Sequence, residues 1–147
     1  MEPAAWHIGF TGTRHGMTSA QWQGVYRLMG LYRAIVFHHG DCVGADYEAD
    51  MIARTWFVDK LVIHPPVMRT LRAYCQVRGL PYKDEILPEK PYEQRNRDIV
   101  QASDLVIAAP PSEQEQPFGG TWQTVRLARE YNKPCKVVLP SGIVVDA

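Results

Sequence analysis

The chain has 147 residues, 46% hydrophobic and 22% charged, the make-up of an ordinary globular chain rather than a disordered one. Sixteen basic residues balance sixteen acidic ones, which argues against a general coat for nucleic acid. Cys42, Cys75 and Cys135 are far apart with no C-x-x-C, and no apolar run approaches a membrane span, so a reduced, cytosolic protein with no membrane partner is expected.

The run His7 to Gly12 is β-prone and leads into the loop Thr13-Arg14-His15-Gly16. Thr18 and Gln21 have the spacing of a capping box, and Trp22, Val25, Leu28, Met29 and Tyr32 then give one apolar helical face. Ala34 to His38 reads as a second strand, ending in His39-Gly40-Asp41 and a loop through Gly44. Ala45, Ala49, Ile52, Ala53 and Trp56 form the next helical face, with Asp46 in its first turn. Leu61 to His64 is the third strand, stopped by two prolines. A helix over 68–78 and a proline-punctuated excursion follow. A charged-then-apolar stretch from Tyr92 to Ala102 reads as a short helix.

Leu105 to Ala109 is the fourth strand, and Lys136 to Leu139 the fifth. Between them lies Pro117-Phe118-Gly119-Gly120-Thr121-Trp122, where two glycines open a helical pattern. Glycine permits close backbone approach, and a helix N-terminus presents free N–H groups to an anion. Strands apolar on both faces, alternating with helices, predict an α/β fold: a Rossmann-like open parallel sheet with helices on both faces, in one domain over residues 1–147. Ligands of such sheets sit beyond the carboxyl ends of the strands. That edge collects Thr11, Gly12, Thr13, Arg14, His38, His39, Gly40, Asp41, His64, Gly119, Gly120 and Thr121, and Gly44, Asp46, Trp122 and Thr124 join them as candidate ligand contacts. Adjacent His38 and His39 point to opposite sheet faces, which disfavours joint ligation, so no metal site and no cofactor are expected.

Three motifs in order, His39 to Asp46, Arg95 to Ile99, and Gly119 to Trp122, resemble the SLOG superfamily, Rossmann-like proteins related to the Smf/DprA DNA-uptake proteins and the lonely-guy phosphoribohydrolases. The resemblance runs from Gly9 to Pro140 and points to the small bacterial and phage branch. It implies a nucleotide or nucleotide-derived ligand, with the glycine turn and an arginine on its phosphate. In the phosphoribohydrolases an arginine precedes P-G-G-x-G-T-x-x-E; Arg95 matches the arginine and Gly120-Thr121 the G-T pair, while the glutamate position falls on Thr124. Nucleotide binding is therefore the first expectation, with Arg95 and Asp41 as catalytic candidates if the ligand is cleaved. An N-glycosidase with an atypical carboxylate and a DNA-associated module are the rivals. A homodimer or higher homo-oligomer is expected, through the helix bearing Trp22 or the one after Gly120.

Overall fold

The computed structural model describes residues 6–75 and 84–147. The strands are β1 (His7–Gly12), β2 (Val36–His39), β3 (Lys60–Ile63), β4 (Glu85–Ile86), β5 (Leu105–Ala109), β6 (Cys135–Val138) and β7 (Val144–Asp146). The helices are α1 (Ser19–Tyr32), α2 (Ala45–Thr55), α3 (Tyr92–Ala102) and α4 (Gly120–Glu130). One sheet runs β4-β3-β2-β1-β5-β6-β7, parallel throughout except for antiparallel β7. This is the Rossmann-like architecture that alternating apolar runs and helical faces predict. No helix among the described residues is long and apolar enough to cross a membrane.

Period-2 alternation divides the buried side chains between two cores, one on each face of the sheet. Ile8, Phe10, Phe37, Leu61, Leu105 and Ile107 pack with Val25 and Met29 of α1 and Ala49 and Ile52 of α2. Val106, Ala108 and Val137 pack on the other face with Val100 of α3 and Val125 and Ala128 of α4. At the start of α1, Thr18 Oγ1 accepts from Gln21 N at 3.0 Å, and Gln21 Oε1 accepts from Thr18 N at 3.0 Å, which is the expected capping box. Gln21 Nε2 also donates to Pro110 O at 2.7 Å and Val138 O at 3.0 Å, tying α1 to the ends of β5 and β6.

Two features differ from the sequence reading. The sheet has two additional edge strands, β4 and β7, both exposed. The described part of the helix expected over 68–78 holds only a 3-10 turn, Arg69–Leu71, and residues 76–78 lie outside the described residues. The competing force is tertiary: Val43 N donates to Leu71 O at 2.9 Å, and Ala73 N to Asp41 O at 2.7 Å. Those backbone bonds hold the segment against the loop after β2, in place of a helical ladder.

Gly44 opens that loop's helix with φ 91°, and a Cβ there would lie 2.3 Å from Arg14 O. Ala45 N donates to Thr13 O at 2.9 Å, so the two loops are stitched together at this glycine. Gly44→Ala should therefore destabilise the fold by about 1–3 kcal/mol, from φ strain plus overpacking. A urea midpoint unchanged in Gly44→Ala would contradict this account of the loop pair.

Candidate ligand-binding site

A cavity of about 830 Å³ opens at the carboxyl edge of the sheet. The chain lays β2, β3 and β4 on one side of β1 and then returns to place β5 on the other, so the β1–β5 crevice is the switch point of the topology. The cavity wall there is Thr11, Gly12, Thr13 and Arg14 after β1, Cys42 and Asp46 before and within α2, Tyr92, Arg95 and Asn96 of α3, and the loop and first turns of α4.

The glycine turn has open space on its cavity side. A Cβ built on Gly119 or on Gly120 meets no atom within 4 Å, unlike Gly40, where a Cβ would lie 2.3 Å from Arg95 Nη1. Gly119 has φ 93°, the left-handed region that glycine favours, and α4 begins at the next residue. Its first N–H groups have no intrahelical acceptor, a ready arrangement for an anion. Trp122 is buried at the same turn and donates Nε1–H to Ser112 Oγ at 2.9 Å, which fixes the loop that roofs the cavity.

Arg95 is buried, yet all its hydrogen-bond acceptors are uncharged. Nε–H reaches Asn96 Oδ1 at 2.8 Å, and Nη1–H reaches Gly40 O at 2.6 Å and His64 O at 3.3 Å. Nη2 has only the Cys42 sulfur, at 4.0 Å. No carboxylate hydrogen-bonds to Arg95 among the described residues, although Asp46 lies close enough to feel its charge, and the guanidinium lines the cavity. Burial pushes the Cys42 thiol above its ordinary range, so it lines the wall as a neutral group.

Of the residues expected at the site, Thr11, Gly12, Thr13, Arg14, Asp46, Arg95, Gly119, Gly120, Thr121 and Trp122 line this one cavity. Gly40, Asp41, Gly44 and Thr124 do not. Gly40 makes room for the Arg95 guanidinium, and Gly44 for the Thr13–Arg14 backbone. Asp41 is fully buried, and its carboxylate accepts from Arg72 Nε at 2.7 Å and Cys75 N at 2.9 Å, anchoring the crossing segment. Thr124 Oγ1 donates back to Gly120 O at 2.9 Å within its own helix. The sequence reading passed over Tyr92, Asn96, Gln123 and Arg126, which also line the cavity. Their helical spacing carried a signal: Tyr92 and Asn96 are one turn apart on α3, as are Gln123 and Arg126 on α4.

Two clusters of buried polar groups flank the site. His39 Nε2 bonds Asp50 Oδ2 at 2.7 Å while His39 Nδ1 accepts from Asp41 N at 2.9 Å. With Cys75 Sγ these groups lie within 4.8 Å of one another, but both His39 nitrogens already have partners. On the opposite face His7 Nδ1 meets His38 Nε2 at 3.1 Å, and His38 Nδ1 meets His64 Nε2 at 3.0 Å. Burial, then neighbouring imidazoles, pushes His38 down to about 3 and His64 down to about 4. The sign follows from proton uptake: the unfolded chain protonates these rings near pH 6.5 and the folded one does not, so stability is present above that pH and lost as pH falls. Each ring adds a slope of up to about 1.4 kcal/mol per pH unit. The melting temperature should drop between pH 7 and pH 4, and His64→Gln should flatten that drop; an identical profile in the variant would remove the histidine row as its cause.

The chain matches no protein-family profile and no curated protein. Among solved structures it is similar to the molybdenum cofactor binding protein from the phototrophic bacterium Rippkaea orientalis, at 22% identity over 94% of this chain and 78% of that one, with a TM-score of 0.68. It is also similar to DNA processing protein A (DprA) from Streptococcus pneumoniae, at 18% identity over 90% of this chain and 50% of that one, with a TM-score of 0.65. The likeness is one of fold, a Rossmann-like open sheet. The cavity edge is built by residues of all three sequence motifs, since Asp46, Arg95 and the Gly119–Trp122 turn share one wall.

Proposed function

We propose that this protein binds a small phosphorylated ligand, a nucleotide or a nucleotide-derived molecule, in the cavity between β1 and β5. The observation that carries the reading is Arg95, a buried cation with only neutral hydrogen-bond partners, lining the same cavity as two bare glycines at the start of α4. A buried cation whose hydrogen bonds all end on neutral groups keeps donor capacity for a charged acceptor, and an anionic ligand supplies one. A space of about 830 Å³ lies within the range of small-molecule sites and holds a base, a sugar and a phosphate group. The binding function named for the Rippkaea orientalis neighbour is in line with a ligand-holding role.

The name of DprA points to a second reading, a DNA-associated module. Balanced charge and a concave, glycine-lined cavity favour the small ligand. Self-association belongs to the first reading and would use the outer face of α1, where Trp22 stacks on Tyr26 and Tyr26 packs against Trp56. Trp122 of α4 is buried and unavailable for that purpose. Sedimentation of the purified chain tests it.

Gly120→Val separates the readings. The added side chain enters open space, so stability should stay within about 1 kcal/mol of the parent. Backbone approach of a phosphate would be blocked, and nucleotide affinity measured by calorimetry should fall at least about 100-fold. Unchanged affinity in the folded variant would remove the glycine turn from the site. Retention on DNA that falls steeply with salt, with no nucleotide bound, would favour the second reading.

A further inference from the structure

The cavity has one acidic group facing its cations. Asp46 is the single carboxylate among the described residues that line it, against Arg14, Arg95 and Arg126. The side chain is buried, and among the described residues the one hydrogen bond to it comes from Cys42 N to Oδ2, at 3.1 Å. That bond orients the carboxylate and leaves Oδ1 without a protein donor. A second group at the same wall has the same need: the Tyr92 hydroxyl is buried with no hydrogen-bond partner among the described residues. The Arg95 guanidinium carbon stands 5.2 Å from the Tyr92 ring centroid, so tyrosine, arginine and carboxylate share one corner.

A ligand that satisfies this wall is anionic where it meets the glycine turn and rich in N–H donors where it meets Asp46. Sugar hydroxyls donate and accept equally well, and the Gln123 amide N–H on the same wall suits them without a charge, whereas the Asn96 amide already joins Arg95 Nε to Gln123 Oε1. Burial pushes the Asp46 carboxyl above its usual range, and adjacent, permanent donors on a rigid plane favour its charged form through two parallel bonds. Resting on the phosphorylated-ligand reading above, we infer that Asp46 reads the amide N–H and exocyclic amine of a 2-amino-4-oxo ring, as carried by guanine nucleotides and by phosphorylated pterins. Tyr92 completes the edge with its hydroxyl. Adenine and hypoxanthine each lack part of that donor pair, and a site built for hydrogen bonds discriminates strongly against analogues that leave it unpaired.

The test is calorimetry of the full chain against GMP, IMP, AMP, XMP, 2′-deoxy-GMP and 6-hydroxymethylpterin phosphate. The 2-amino-4-oxo probes should bind at least about tenfold more tightly than IMP and AMP; whichever of GMP and the pterin phosphate is tighter assigns the source. Asp46→Asn keeps an acceptor for Cys42 N but offers an amide donor, so it should invert the order and prefer XMP, whose 2-oxo group accepts. Equal affinity for GMP, IMP and AMP, abolished by Gly120→Val, would overturn the inference and leave the anion site standing. A loss confined to 2′-deoxy-GMP would put the ribose on Asp46 and also overturn it. An unchanged GMP preference in folded Asp46→Asn would exclude this carboxylate as the reader. Should that variant not fold, the wild-type ranking decides alone. Binding of none of the probes would overturn both the inference and the reading beneath it.

Discussion

Asp50→Ala should lower the unfolding free energy by about 3–5 kcal/mol, because it removes one partner from a buried ionic cluster. Asp50 Oδ2 bonds His39 Nε2 at 2.7 Å, and Oδ1 accepts from Arg54 Nε at 2.7 Å. Arg54 Nη2 continues to Asp84 Oδ2 at 3.0 Å and to Cys75 O at 3.2 Å. One carboxylate thus links α2 to the end of β2, and through Arg54 to the crossing segment and the residue before β4. Burial alone would push the Asp50 carboxyl up, but hydrogen bonds from His39 and Arg54 overrule it and hold it below the usual range. A depressed carboxyl contributes stability at neutral pH that is lost as pH falls through its folded value, so the gap between parent and variant should narrow in acid. Urea unfolding at pH 7 and in acid measures both; a loss under about 1 kcal/mol at pH 7 would show that the cluster holds without Asp50.

Base release from ordinary nucleoside monophosphates should be absent or weak even where they bind. The glutamate of the phosphoribohydrolase pattern falls on Thr124, which is buried, does not line the cavity, and turns its hydroxyl back to Gly120 O. A hydroxyl carries no charge near neutral pH to steady a developing ribosyl cation. Loss of one preorganised group of that kind costs on the order of 10²–10³ in rate, or about 3–4 kcal/mol. Chromatography of free base over the nucleotide panel measures it. Robust release, abolished by Arg95→Ala, would reverse this view and make Asp46, the cavity's carboxylate, the next residue to test.

The core strands were legible because parallel strands covered on both faces are written as unbroken apolar runs, as in Leu105 to Ala109. The edge strands were not: Glu85–Ile86 and Val144–Asp146 are two and three exposed residues, and pairing with β3 and β6 alone makes them strands. His38 and His39 do face opposite sides, as period 2 requires, one meeting His7 and His64 and the other Asp50. The glycines were harder. Gly40, Gly44 and Gly120 read alike in sequence, yet one clears an arginine, one clears a neighbouring loop, and one faces open space. Which of these a glycine does depends on what the fold brings beside it. Asp41 illustrates the same limit, since its partners Arg72 and Cys75 come from a segment whose path the sequence does not specify.

The three imidazoles strung from β1 across β2 to the residue after β3 have a collective property that none has alone. If His38 gives its Nδ1 proton to His64, its Nε2 is bare and must take one from His7 Nδ1; if His64 gives from Nε2, His38 must carry its proton on Nε2 and His7 must be bare at Nδ1. Only two tautomer patterns satisfy every bond, and each points the whole row one way. The row therefore behaves as a single polar switch with two settings, running from half-buried His7 to His64 at the edge of a small cavity of about 140 Å³ that Arg95 also lines. Nitrogen-15 spectra of the three rings should show one tautomer shared by all, and any change at one end should be registered at the other.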